Sequence, residues 1–258
     1  MRNLKFLREE YLSDYKIKVG DLSKKMLQLT DKQDFTPTDF EYYVVPSAVY
    51  SSNIEGNSLN MDTFLQNKYF NIKSKPKETK EINDLIAAYN FAITSALTKD
   101  NFLKSHAILS DTVLTLKKHR GKLRTEQVAI FNGGKIEYFA VEPEFVKAEF
   151  DIFFSDINIL SNEELSIEEV FYFASMIHLA FEKICPFTDG NGRAGRLLEK
   201  WFLASFLGVK SWSIASEKYY MQDREAYYKN IHIGLNYYVL KWERAMPFLE
   251  MLPNSLGK

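Results

Sequence analysis

Apolar residues recur every three or four positions along most of this chain. In "SIEEVFYFASMIHLAFEKI" they fall at Val170, Phe173, Ala174, Ile177, Phe181 and Ile184, which predicts a helix with one buried face. Ser166 precedes that run and Glu169 stands three residues on, the spacing of a capping box, so the helix is expected to start there. A second helix is predicted from about Asn191 to Leu207. Leu197, Leu198, Trp201, Phe202 and Phe206 supply its apolar side, and Gly208 ends it. Further upstream, "PSAVYSSNIEG" reads as a short helix with Pro46 near its first position and Gly56 just past its end. Strand signals are few, the clearest being the "NGG" hairpin turn at Asn132 to Gly134. With 11 Gly and 7 Pro in 258 residues there is little material for the turns of an all-β protein, so an α-rich fold is expected. The basic, polar "NIKSKPKETK" reads as a connector and places a lobe boundary near residues 72 to 80.

Composition narrows the partners. Lys plus Arg number 33 against 34 acidic residues, so no global field attracts nucleic acid or an anionic membrane, and any anion site must be local. The longest apolar runs, such as "VFYFASMIHLAF", are too short to cross a bilayer, and the N-terminus is charged where a signal peptide is apolar. A cytoplasmic location is expected. One cysteine and four scattered histidines offer no zinc-ligand spacing. His106, His119 and His232 read as structural. So does His178, two turns before Cys185 and separated from it by about 10 Å of helical rise.

Between the two strong helices lies "CPFTDGNG". Alone, its Asp-Gly and Asn-Gly pairs would mark a turn. The helix that follows, however, opens with Arg193 and Arg196 three apart and Lys200 four further on. Cations are disfavoured at a helix N-terminus, by about 0.3 to 1 kcal/mol each, so an anion is expected to offset them. Gly190 and Gly192 allow close backbone approach, the first-turn amides are free donors, and two guanidiniums can grip phosphate oxygens. Asp189 adds a hard oxygen suited to Mg²⁺. This chemistry predicts a site for a nucleotide di- or triphosphate.

Residues 185–196, "CPFTDGNGRAGR", resemble the motif H-P-F-x-[DE]-G-N-G-R-x-x-R of the Fic (Fido) family. They match at eight of nine defined positions, with Cys185 in place of the histidine. "SSNIEGN", Ser51 to Asn57, resembles the family's inhibitory motif [ST]-x-x-x-E-[GN] through Ser51, Glu55 and Gly56. The resemblance implies a mainly helical fold with a β-hairpin flap. It also implies a division into an N-terminal helical lobe at 1–95, a Fic core at 96–245 and a C-terminal tail at 246–258. Fic proteins mostly transfer AMP from ATP to a Ser, Thr or Tyr hydroxyl of a target protein. Carried over, Asp189 would hold Mg²⁺, while Gly190, Asn191, Gly192 and Arg193 would contact the α- and β-phosphates. Arg196 would hold the γ-phosphate unless Glu55 pairs with it, which is the family's autoinhibition. Tyr227, Tyr228 and Asn236 correspond to positions near the adenine. Ile136, Glu137, Tyr138 and Phe139 would form the flap that docks the target by strand pairing. The target protein is not specified, and a homodimer fits the pattern.

Cys185 sits where the family has its general base. A thiol with an ordinary pKa near 8.5 is only about 3% ionised at neutral pH. The following helix N-terminus and the two arginines are expected to lower that pKa, though a stabilised thiolate is also a weaker base. Loss of a general base typically slows a reaction by about two to four orders of magnitude. AMP transfer is therefore expected to be weak or altered. The alternatives are a catalytically inactive nucleotide-binding module and removal of AMP from a modified protein with help from Glu55.

Overall fold

The computed structural model describes residues 2–23, 25–26, 37–70 and 75–256. Its helices before the hairpin are α1 (Leu12–Val19), α2 (Pro37–Ile54), α3 (Met61–Phe70), α4 (Pro76–Ile93) and α5 (Lys99–Leu109). Strands β1 (Ala129–Asn132) and β2 (Lys135–Phe139) pair antiparallel. After them come α6 (Pro143–Ser161), α7 (Ile167–Ile184), α8 (Asn191–Leu207), α9 (Ser216–Gln222) and α10 (Arg224–Ile231), and the described chain closes with two single-turn helices, α11 (Met246–Leu249) and α12 (Met251–Asn254).

The capping box is formed. Ser166 Oγ accepts the Glu169 N–H at 3.3 Å, and the Glu169 carboxylate accepts the Ser166 N–H at 2.8 Å. From there α7 becomes the axis of the fold. More than one face is buried, for every residue from Val170 to Ile184 is inside, including Glu182 and Lys183. The reason is position: α1, α6, α8 and α11 all pack around α7. Its tightest neighbour is α8, where a Cβ at Gly195 would lie 2.8 Å from Glu182 Oε1 and 3.0 Å from the His178 ring. Glycine at that position lets the two helix backbones come together. One apolar core runs from Phe6 to Leu252.

Two sequence expectations change. The helix around "PSAVYSSNI" is longer than expected, with Pro46 inside α2 rather than at its start. Proline removes one backbone donor, but Val44, Val45, Ala48 and Val49 are buried on both sides of it, and their packing carries the helix through. The connector expected at 71–80 includes residues 71–74, which lie outside the described residues; from Pro76 onward it is helix, with proline in the first turn. The hairpin turn is made by Gly133 and Gly134 at φ 56° and 79°, the left-handed pair of a two-residue turn.

Two buried polar anchors had no sequence signal. The Asp156 carboxylate on α6 accepts the N–H groups of Lys5, Phe6 and Leu7 at 3.0, 2.6 and 2.8 Å, tying the N-terminal segment down. Arg124, 2% exposed, donates to the carbonyls of Cys185 (2.7 Å), Glu126 (2.9 Å) and Val141 (2.6 Å), joining the end of α7 to the base of the hairpin.

Candidate functional site

The loop 185–190 is held from three sides. Cys185 is the C-cap of α7 at φ 46°, and Gly190 is the N-cap of α8 at φ 83°. Asn191 clamps the loop with its amide, accepting the Phe187 N–H at 3.0 Å and donating to the Phe187 carbonyl at 2.9 Å. Beneath the loop, the His106 ring stacks on Phe187 with centroids 3.5 Å apart. Its Nδ1 accepts the Gly121 N–H at 3.0 Å, so Nε2 carries the proton and donates it to the Asp189 carbonyl at 2.9 Å.

His106 thus positions the loop, a role its isolated place in the sequence did not reveal. Burial pushes its pKa down to about 4 from an ordinary 6.5, a fall the Asp189 contact only partly opposes. The folded state therefore binds fewer protons than the unfolded one, and His106 stabilises the fold fully above about pH 6.5. That contribution, about 3 kcal/mol, is lost as the pH falls toward about 4. Denaturant melts at pH 7 and pH 4.5 are expected to show the loss in the native chain. A His106→Gln chain, starting less stable, should lack that part of the pH dependence.

A cavity of about 270 Å³ opens above the loop, and Glu55, Glu182, Lys183, Cys185, Asp189 and Gly192 are among its lining residues. Tyr227, Tyr228, Glu137 and Tyr138 line it as well. Arg196 is fully buried below, with four hydrogen bonds. Its Nε donates to Ser51 Oγ (2.8 Å), one Nη to Tyr227 Oη (3.1 Å), and the other to the Ser51 carbonyl (3.0 Å) and Glu55 Oε1 (2.7 Å). Burial alone would raise the Glu55 carboxyl. The charges of Arg196 and Arg193 outweigh it and hold Glu55 below the usual carboxylate range. A Cβ at Gly192 would lie 2.3 Å from Glu55 Oε1, so this carboxylate rests directly on the first turn of α8. Tyr228 fixes the end of α2 by donating to the Ile54 carbonyl at 2.9 Å.

Behind Arg196 the polar chain continues. The Tyr227 hydroxyl, having accepted from Arg196, gives its proton to His178 Nε2 at 3.1 Å, which leaves Nδ1–H for Glu199 at 2.8 Å. His178 is thus a structural link. Lys200, grouped with the two arginines by its spacing, turns away from the loop. It pairs with Glu217 at 2.7 Å and donates to Ser47 Oγ, so its anion is supplied by α9.

The thiol departs from expectation. The sequence suggested that a helix N-terminus would lower its pKa, but Cys185 caps the C-terminal, negative end of α7, and α8 begins only six residues later. Cys185 is 2% exposed, packs against Tyr138 and Ala140, and donates from Sγ to the Glu182 carbonyl at 3.0 Å. Burial pushes the thiol up to about 12; the Glu182 charge adds to the rise, and Lys183 and Arg124 offset only part of it. Thiolate is therefore scarce at neutral pH.

Of the predicted residues that remain, Arg193, Ile136, Phe139 and Asn236 are not among those lining the cavity. Asp189 is exposed at the rim and accepts the Gly190 N–H at 2.6 Å, and Arg193 is 7% exposed with its Nε unpaired. Ile136 and Phe139 face outward, 51% and 40% exposed. Asn236 is not among the lining residues; its Oδ1 accepts the Tyr238 N–H, and its backbone bridges Phe139. A larger open cavity of about 910 Å³, bordered by Tyr50, Tyr69 and Trp212, contains no motif residue.

The sequence profile of the Fic/DOC family matches residues 96–203, from just before α5 into α8. Residues 96–203 form a Fic/DOC domain. Outside it lies α2, so Glu55 reaches the domain from a separate part of the chain. The protein adenylyltransferase fic-1 of Caenorhabditis briggsae is 29% identical over 157 residues, 56% of this chain and 29% of the relative's length. The chain therefore spans less than a third of that curated relative. A Fic family protein from Desulfovibrio desulfuricans superposes with a TM-score of 0.76 at 20% identity, covering 99% of this chain and 74% of the other. A Fic domain containing signaling protein from Bacteroides thetaiotaomicron gives 0.70 at 18%, covering 92% and 94%. Both likenesses extend beyond residues 96–203, so the described helices before that segment share the fold of these proteins.

Proposed function

We propose that the cavity binds Mg-ATP and that the chain is an adenylyltransferase, passing AMP to a hydroxyl of a protein target, with Glu55 restraining nucleotide entry. The observation that carries this reading is the Glu55 carboxylate lying on Gly192 and paired with Arg196. A helix N-terminus flanked by two buried arginines is an anion site, and here an anionic side chain from α2 already occupies it. The adenylyl chemistry is the one named for the Caenorhabditis briggsae relative.

The residues fit the nucleotide and its metal. Among the described residues, buried Arg193 Nε and Thr188 Oγ1 have no hydrogen-bond partner, and Asp189 presents a carboxylate at the rim of the loop. Asp189 would hold Mg²⁺, which neutralises phosphate charge when bound. The Asn191 side chain is committed to Phe187, so the backbone amides of Asn191 and Gly192 with Arg193 would contact the α- and β-phosphates, and Arg196 the γ-phosphate once Glu55 withdraws. Tyr227 and Tyr228 would border the adenine. The raised pKa of Cys185 supports a second reading, a nucleotide-binding module with no catalytic base.

Calorimetric titration of Mg-ATP tests the site. Arg193→Ala is expected to weaken binding by about ten- to a hundred-fold, the loss of one charge-assisted phosphate contact. Unchanged affinity in that variant would remove the site from this loop.

A further inference from the structure

Three of the buried cations among the described residues have oxygen partners: Lys200 has Glu217, Arg196 has Glu55, and Arg124 has backbone carbonyls. Lys183 differs. It is 3% exposed on the last turn of α7, two residues before Cys185, and lines the same cavity. Among the described residues its Nζ has no carboxylate or carbonyl partner; it lies over the Tyr138 ring, 4.6 Å from the centroid. With its stem buried, the amine opens onto the cavity, where little water hydrates an ammonium.

We propose that Lys183, not Cys185, is the proton acceptor for the incoming target hydroxyl. The inference rests on the adenylyltransferase reading above. Tyr138 belongs to β2 of the hairpin, and its hydroxyl donates to the Lys183 backbone carbonyl at 2.6 Å. That bond fixes the end of α7 against β2, the strand beside which a target segment would pair, and the amine lies over the ring of the same tyrosine. In the reaction, neutral Nζ takes the hydroxyl proton as the oxygen bonds to the α-phosphorus. The bond from that phosphorus to the bridging oxygen breaks, its electron pair leaves with pyrophosphate, and the ammonium returns its proton to solvent.

Burial pushes the Lys183 amine down to about 8; the carboxylates of Glu182 and Glu137 oppose the fall without cancelling it. Glu182 and Cys185 face it from its own helix, and Glu137 and Tyr138 from the hairpin. Glu55, Asp189 and His232 line the rest of the cavity. An amine with a pKa near the operating pH is an effective base, which a thiol near 12 is not.

The test uses the full chain carrying Glu55→Gly. Mg-ATP binding is measured by calorimetry, and AMP transfer onto the chain itself by intact mass, from pH 6.5 to 9. The rate is expected to rise with pH to a plateau above about 8. Lys183→Met should lower it by about a hundred-fold with Mg-ATP affinity unchanged. Lys183→Arg should fail equally, because guanidinium stays protonated. A second readout is independent of activity: NMR titration of the Lys183 Cε signal, with a midpoint expected near 8. Full rate with arginine would mean that only the charge matters and would overturn the proposal. A midpoint near the ordinary value of about 10.4 would overturn it too. A protein that binds Mg-ATP yet transfers nothing overturns the base assignment and leaves the nucleotide site standing. Failure to bind Mg-ATP overturns the site itself.

Discussion

Replacing Glu55 with glycine is expected to tighten Mg-ATP binding by about ten- to a hundred-fold. Glu55 sits on Gly192 and holds Arg196 at 2.7 Å, so a nucleotide must displace a charge-assisted hydrogen bond before its phosphates can reach the helix terminus. Such a bond contributes about 1.5 to 3 kcal/mol, and each 1.4 kcal/mol is a factor of ten. The variant should still fold. Arg196 keeps Ser51 Oγ, the Ser51 carbonyl and Tyr227 Oη as acceptors, so it is not left unpaired. Because the Glu55 side chain is 28% exposed, the loss to the unliganded fold should fall at the low end of that range, about 1.5 kcal/mol. Calorimetric titration and melting with and without Mg-ATP measure both sides. Equal affinity in the two proteins would show that Glu55 does not restrain the site.

Adding Cys185→His to Glu55→Gly/Lys183→Met is expected to raise AMP transfer by about two to four orders of magnitude over that double variant, the range for supplying a positioned general base where none remains. Three features favour the change. Position 185 has φ 46°, a left-handed conformation that histidine tolerates better than most residues. The cavity of about 270 Å³ beside it has room for an imidazole. The thiol it replaces is pushed up to about 12 by burial, whereas an imidazole titrates near neutral pH. The rate–pH curve should shift as well, with its rise moving toward pH 6 to 7, near the ordinary histidine pKa of about 6.5. Single-turnover transfer measured across pH would decide. If the triple variant binds Mg-ATP and is no faster than Glu55→Gly/Lys183→Met, position 185 does not face the reacting hydroxyl.

Much of the fold was legible because its signals are local. Capping residues at Ser166 and Glu169, helical spacing from Val170 to Ile184, and glycines at 190 and 208 set the limits of α7 and α8 without help from distant contacts. The "NGG" turn marked the hairpin for the same reason. The need for an anion at the start of α8 was also readable, since a helix that opens with two arginines is electrostatically incomplete on its own, and the Glu55 carboxylate lies there. Lys200 misled because spacing shows which residues can share a helix face but not what a neighbouring helix brings to that face. Glu217 on α9 supplied the missing anion.

The residues that control chemistry depend on contacts the sequence does not encode locally. His106 comes beneath the loop only when α5 packs against α8, and Arg124 meets the end of α7 only in the folded chain. Pro46 looked like a helix start until the core carried α2 through it.

The sequence by itself determined the helices, the turn, the loop glycines and the presence of a cradle for an anion. These follow from backbone preferences and from charges a few residues apart. Only the tertiary structure decided the ionisation of the cavity: the Cys185 thiol pushed up, the Lys183 amine pushed down, Glu55 held charged against Arg196. Ionisation follows from burial and from charges brought together across more than a hundred residues of chain, and neither exists before the chain folds.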